Sequence, residues 1–283
     1  MDSLLCECMR NINIKVFNDT LDFIKENTLL TESVNYSIKK TRIYNSPIKE
    51  VNKTIKAGKV SVTQSRTLEA ATRLSKKYPN KRIGVLNFAS ATTPGGGVTS
   101  GSSAQEESLC RCSTLYPVLN HEILLNAYYF RNIMLKNPLH DDTVIYTPDI
   151  VVCKTDTMSP VKLNESQFVK IDVLSCAAPN LRERPTNKYN HSDGQHIDIG
   201  DEKLYQIHLS RGKQILDVAL FHNIDVLVLG AFGCGAFRNN PRIVAKAYKE
   251  LLKEYSQYFE EIEFAIYCSK YDQENYEIFK SIL

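Results

Sequence analysis

Residues 83–118, IGVLNFASATTPGGGVTSGSSAQEESLCRCSTLYPV, decide how the rest of the chain is read. Ile83–Phe88 is a short apolar run bounded by turn residues, the pattern of a buried strand. It runs into Thr92-Thr93-Pro94-Gly95-Gly96-Gly97, where neither helix nor ladder persists. Pro94 removes a backbone donor, and the glycines permit left-handed backbone and close approach to a ligand. Beyond a polar stretch, Gln105-Glu106-Glu107 opens a helix predicted to continue to about Tyr116. Strand, glycine loop and helix N-terminus together present free N–H groups to an anion. Here they also bring two carboxylates within a turn of the loop.

Upstream, Asn18-Asp19-Thr20 before Leu21-Asp22-Phe23-Ile24 reads as a capped helix start. Residues 59–63 alternate like a strand, and residues 65–77 carry Leu68, Ala71 and Leu74 on one face of an amphipathic helix. Downstream, residues 120–136 are helical, residues 143–147 form a strand stopped by Pro148, and residues 150–153 follow it. Residues 169–178 read as another strand, then come a polar loop over 182–201 and a long helix over 202–223. Residues 224–230 are the strongest buried strand of the chain. They feed a second glycine loop, Ala231-Phe232-Gly233-Cys234-Gly235-Ala236-Phe237-Arg238-Asn239-Asn240-Pro241. Asn240 suits the cap and Pro241 the first turn of a helix running to about Tyr255. Residues 264–268 make a final strand, with a helix over 272–282. Strands alternating with helices predict an α/β fold, its mainly parallel or mixed sheet covered on both faces.

Bulk properties exclude several classes. A formal net charge of +3 on 283 residues is too small to imply nucleic-acid binding by itself. No run approaches the ~20 apolar residues that span a bilayer. The first residues lack the basic region and apolar core of a secretory signal. Eight cysteines are too sparse for a disulfide scaffold and read as reduced thiols of a cytoplasmic protein. Cys6-x-Cys8 and Cys110-x-Cys112 lack the spacing of structural zinc sites and a nearby completing histidine, so no metal is assigned. His191 and His196 flank a polar loop and read as surface histidines.

Two glycine loops, each leaving a buried strand and entering a helix, point to one ligand site beyond the strand carboxyl ends. A dinucleotide-binding reading fails because no GxGxxG exists: the second loop lacks the third glycine. In the acidic pair, Ser103-Ala104-Gln105-Glu106 fits a capping box, which gives Glu106 a structural duty. Glu107 has none. Asn87 and Ser90, at the end of the first strand, fit either ribose hydrogen bonding or plain strand termination.

Gly95-Gly96-Gly97, seven intervening residues and Gln105-Glu106-Glu107 resemble the GGG…QEE signature of bacterial, or microbial-type, poly(ADP-ribose) glycohydrolases. Leu86-Asn87-Phe88-Ala89-Ser90-Ala91, Leu109-Cys110-Arg111 and Leu115-Tyr116-Pro117 are similar to the same family. The second loop also resembles the Gly-x-Gly-x-Phe segment of macrodomains. The resemblance implies a macrodomain-like three-layer α/β/α unit over residues 81–283, with residues 1–80 as an accessory segment packed on it. It implies hydrolysis of the O-glycosidic ribose–ribose bond of poly(ADP-ribose), releasing ADP-ribose. Glu107 matches the catalytic glutamate, and Glu106 its neighbour that positions the scissile ribose. Substrate contacts fall to Asn87, Ser90, Gly95, Gly96, Gly97 and Gln105 in the first segment. In the second they fall to Gly233, Cys234, Gly235, Ala236 and Phe237. No metal or redox cofactor is implied, and nucleic acid is a partner only if it carries the modification. Competing readings are a non-catalytic ADP-ribose reader and a hydrolase of another ADP-ribosyl linkage. Val98-Thr99-Ser100 after the glycines is slighter than the family pattern, which bears on substrate preference.

Overall fold

The computed structural model describes residues 2–51, 54–187, 193–269 and 272–283. Helices α1 (Asp2–Glu26) and α2 (Thr28–Lys40) precede strands β1 (Arg42–Tyr44) and β2 (Lys59–Thr63), helix α3 (Thr67–Lys77) and strand β3 (Ile83–Phe88). Helix α4 (Gln105–Cys112) follows the first glycine loop. Short helices α5 (Leu115–Leu119), α6 (Glu122–Leu124) and α7 (Phe130–Leu135) lead to strands β4 (Val144–Val152) and β5 (Val169–Cys176). Then come α8 (Asp201–Phe221), β6 (Val226–Leu229), α9 (Pro241–Tyr255), β7 (Glu261–Ala265) and α10 (Glu274–Ile282).

The seven strands form one mixed sheet in the order β1-β4-β5-β3-β6-β7-β2. Pairings from β5 through β3, β6 and β7 to β2 are parallel, whereas β4 runs antiparallel to both of its neighbours. Period-two alternation sends Val85, Val226 and Val228 into a core beneath α1–α5. Leu86, Leu227 and Leu229 go to the opposite core beneath α8, α9 and α10. Both faces are buried, so these strands read as continuous apolar runs rather than alternating ones. The carboxyl ends of β3, β5, β6 and β7 share one edge of the sheet, and the loops leaving them converge there.

Four local expectations are corrected. Asn18-Asp19-Thr20 does not start a helix but lies within α1. There Asp19 pairs with Lys154 at 2.7 Å, and the Thr20 hydroxyl donates to the Arg111 carbonyl at 2.6 Å. The cap belongs to Asn27, whose side chain accepts from Leu30 N at the start of α2. Pro148 does not stop its strand, because the register shifts between Thr147 and Ile150 and a bulge absorbs Pro148 and Asp149, the latter at φ 55°. The last strand begins at Glu261 rather than Phe264. Glu261 and Glu263 disguised it, since both are buried carboxylates answered by Lys77 and Arg73 from α3. Finally, α4 ends at Cys112, whose carbonyl accepts from Cys153 N at 2.9 Å and Lys154 N at 3.1 Å.

The N-terminal region is built into the fold. Helix α1 packs on α4 and on the first glycine loop, where Asn13 Nδ2 donates to the Gly101 carbonyl at 3.0 Å. Strands β1 and β2 form the two edges of the sheet. Among the described residues no helix is long and apolar enough to cross a membrane.

Candidate active site

The loop after β3 turns twice through left-handed backbone, at Gly95 (φ 66°) and Gly96 (φ 58°). Gly96 is needed for a second reason. A Cβ there would stand 2.7 Å from Glu107 Oε1 and 3.2 Å from Glu106 Oε2. Both carboxylates therefore lie against its bare backbone, although adjacent helix positions do not normally face one target. Glu107 Oε1 accepts from Gly97 N at 2.9 Å. Glu106 turns inward, its Oε2 accepting from Ser90 N at 2.7 Å and its Oε1 from Asn87 Nδ2 at 3.1 Å.

That inward turn overturns the capping-box reading. The cap of α4 is Ala104, with no side-chain bond, and Glu106 does not reach back to Ser103. Two donors at the end of β3 hold the carboxylate of Glu106 instead. Gln105 fastens the same end of the helix. Its oxygen accepts from Phe88 N at 2.9 Å, and its amide donates to the Leu86 carbonyl at 2.7 Å and the Thr67 hydroxyl at 3.1 Å.

Both glutamates are buried. Burial pushes the Glu106 carboxyl up to about 8, the Glu107 charge adds to the rise, and the bonds from Ser90 and Asn87 oppose it. Burial likewise raises Glu107, against the bond from Gly97 and the charge of Arg111. A carboxyl raised in the folded state binds more protons there than in the unfolded chain, so its stabilising contribution is lost as pH rises toward the folded value. For Glu106 that window runs from 4.5 to about 8. The buried His208, held down to about 4 by desolvation, acts in the opposite sense below its ordinary value of 6.5. His140, held down to about 3, does the same, and so does His222, at about 4. The comparison is therefore differential. The unfolding free energy of wild type minus that of Glu106→Gln, from urea melts, should fall between pH 5 and pH 8. A flat difference would refute the assigned shift.

The second loop lies beside the first. Gly233 (φ 78°) is pressed against Ala178 and Asn239. Asn239 pins the loop, donating from Nδ2 to the carbonyls of Pro179 (2.7 Å) and Phe237 (3.1 Å) and accepting from His208 Nε2 at 2.7 Å. Gly235, by contrast, has no heavy atom within 4 Å of a Cβ position. Its bare backbone faces open space, so a ligand can approach it closely.

Both loops open on one cleft of about 850 Å³, within the usual range for ligand sites. Of the residues singled out in the sequence, Ser90, Gly96, Gly97, Gln105, Glu106 and Glu107 line it from the first segment. Gly233, Gly235, Ala236 and Phe237 line it from the second. Three do not. Asn87 is fully buried and acts on Glu106, Gly95 packs on Tyr116 and Cys110, and Cys234 turns its thiol toward the Phe232 carbonyl. His196 sits outside the cleft, bonded to Asp198 and the Arg182 carbonyl. His191 and the side chain of Cys6 lie outside the described residues.

Other lining residues carry no sequence signal. Arg182, from the polar loop after β5, places its guanidinium 5.5 Å from the centre of the Phe237 ring. Behind it, the buried Asp193 accepts from the Thr92 hydroxyl at 2.7 Å and from Asn180 Nδ2 at 2.9 Å, and stands 3.9 Å from Arg182. One carboxylate thus joins the loops leaving β3 and β5. Arg66 lies 4.1 Å over Tyr267, and Arg10 reaches the cleft from α1.

Residues 19–155 match the family profile of the microbial-type PARG catalytic domain. No match was found among curated proteins. Among solved structures, the chain is similar to poly(ADP-ribose) glycohydrolase from Thermomonospora curvata bound to the inhibitor ADP-HPD. The two are 25% identical over 96% of this chain and 99% of that one, with a TM-score of 0.77. It is also similar to poly(ADP-ribose) glycohydrolase from Deinococcus radiodurans in complex with ADP-ribose. There the identity is 28% over 88% of this chain and 96% of that one, with a TM-score of 0.70.

Proposed function

We infer, from the similarity of residues 19–155 to the microbial-type PARG profile and of the fold to solved poly(ADP-ribose) glycohydrolases, that this chain is a poly(ADP-ribose) glycohydrolase. It cleaves the O-glycosidic ribose–ribose bond and releases ADP-ribose. The observation that carries the reading is the joining, in one cleft, of two buried carboxylates with raised proton affinity and the bare glycine backbone of the second loop.

In this reading the nest of Gly233 to Phe237 takes the diphosphate of the terminal unit, and Phe237 packs beside its distal ribose. Gly96 and Gly97 let the ribose approach the carboxylates. Glu106, fixed by Ser90 and Asn87, accepts ribose hydroxyls and orients the sugar. Glu107 protonates the leaving oxygen as the glycosidic bond breaks and the ribose takes on oxocarbenium character. It then removes a proton from the attacking water, restoring the acid. The diphosphate helps stabilise the cationic ribose. A helix N-terminus favours ionised Glu107, whereas the acid role needs its proton. Burial already raises its affinity, and the charge of the bound diphosphate raises it further.

Residues 1–80 serve as an accessory segment completing the catalytic unit of residues 81–283. Helix α1 buttresses the loop that carries Gly97, and the described cysteines are free thiols, consistent with a cytoplasmic setting. The test is release of ADP-ribose from poly(ADP-ribose) by the purified protein. Binding of ADP-ribose without release would make the chain a reader, and absence of both would overturn the reading altogether.

A further inference from the structure

Three arginines, Arg10, Arg66 and Arg182, and no lysine are among the described residues lining the cleft. They stand on different parts of it. Arg182, from the polar loop after β5, stands against Phe237 of the second glycine loop, with its Nε donating to Asn180 Oδ1 at 3.0 Å. Arg66 is engaged with the Tyr267 ring and lies 3.7 Å from Asp156. Arg10 is exposed on α1, beside the first loop.

The contacts give the cleft a direction. From Glu107 they run to Gly97, whose Cβ position is 2.3 Å from Ser102 Oγ, and on to Gly101. A Cβ on Gly101 would fall 2.3 Å from the Arg10 carbonyl, so helix and loop touch backbone to backbone there. Asn13 Nδ2 closes the contact by donating to the Gly101 carbonyl. In the other sense they run from Glu106 to Ser90, whose hydroxyl accepts from Thr93 N at 3.1 Å, and through Thr92 and Asp193 to Arg182 and Phe237. The carboxylates stand between an arm that ends in the nest and an arm walled by α1.

We propose that the arm walled by α1 is the subsite for the departing part of the polymer, with Arg10 recognising the diphosphate of the next ADP-ribose unit. This rests on the glycohydrolase reading above. The terminal unit has a single diphosphate, which the nest and Arg182 accommodate. The next unit is joined through the oxygen that Glu107 protonates, so it extends from the Glu107 side. It brings a second diphosphate past two carboxylates, and the guanidinium of Arg10, on the helix packed against that loop, offsets the repulsion. An exposed arginine serves this role at small desolvation cost.

The experiment compares kcat/KM on poly(ADP-ribose) with kcat/KM on an ADP-riboside bearing an uncharged nitrophenyl leaving group. Both substrates contain the terminal diphosphate, and only the polymer contains the second. In Arg10→Gln the polymer-to-nitrophenyl ratio should drop about tenfold, the scale of one charge-assisted contact. Arg10→Lys should recover most of the ratio, and the salt dependence of polymer turnover should weaken in Arg10→Gln. Arg182→Gln should lower both substrates together. An unchanged ratio in Arg10→Gln, whether both activities hold or both fall, overturns the subsite. Inactivity of the wild type on both substrates overturns the underlying reading as well, and so is told apart.

Discussion

Glu107→Gln is expected to lower ADP-ribose release by about 10³-fold or more while ADP-ribose binding stays within a few-fold of wild type, since positioned acid–base catalysis contributes 10²–10⁴. The amide oxygen can still accept from Gly97 N, now at 2.9 Å from Glu107 Oε1, so the loop keeps its anchor. What disappears is the exchangeable proton. Removing a nearby negative charge does not penalise a dianionic ligand, which is why affinity survives. Release assays on poly(ADP-ribose) and calorimetric titration with ADP-ribose measure the two halves. Turnover within tenfold of wild type would remove Glu107 from the acid role. If Glu106→Gln were dead and Glu107→Gln active, the roles of the two carboxylates would be exchanged.

Gly96→Ala is expected to be nearly as damaging, without touching any ionisable group. The backbone at φ 58° costs an L-residue about 1–2 kcal/mol. The added methyl also meets Glu107 Oε1 at 2.7 Å and Glu106 Oε2 at 3.2 Å, so both carboxylates must move. Misplacement of a catalytic group by about 1 Å costs on the order of 10²-fold, and kcat should fall by that amount. Thermal unfolding should show a drop of several degrees. The nest around Gly235 is a separate loop, so ADP-ribose affinity should change much less than kcat. A variant with full kcat would mean that the carboxylates are not held against Gly96 in the working enzyme.

Much of this was legible in the residues, for identifiable reasons. Strands β3, β5 and β6 are buried on both faces and announce themselves as apolar runs. Helix α9 carries its own boundary marks in Asn240 and Pro241. What stayed hidden depends on partners distant in sequence. Glu261 and Glu263 look like surface acids until α3 supplies Lys77 and Arg73 across the sheet. Glu106 matches a local capping motif, yet its donors are Asn87 and Ser90, on another element. Arg10, Arg182 and Asp193 sit in no motif. Their places in the cleft follow from which loops the sheet order brings together, and local pattern does not encode that order.

The sheet order also sets a schedule for assembly. Strand β2 is complete by Thr63, yet Ser61 and Thr63 bond to Glu261 and Glu263, 200 positions further along. Strand β7 must then wedge between β6 and β2, as an inner strand rather than an edge. Contacts so far apart in sequence make folding slow, because the closure entropy is spent before the pairing repays it. On the ribosome, β2 therefore waits for its partner strand while the next 200 positions are made, as an open edge prone to mispairing. Ala265, Ile266 and Tyr267, which wall the cleft, arrive only with β7. A nascent chain long enough to show both glycine loops still has no finished cleft, because the wall at residues 265–267 has yet to be made.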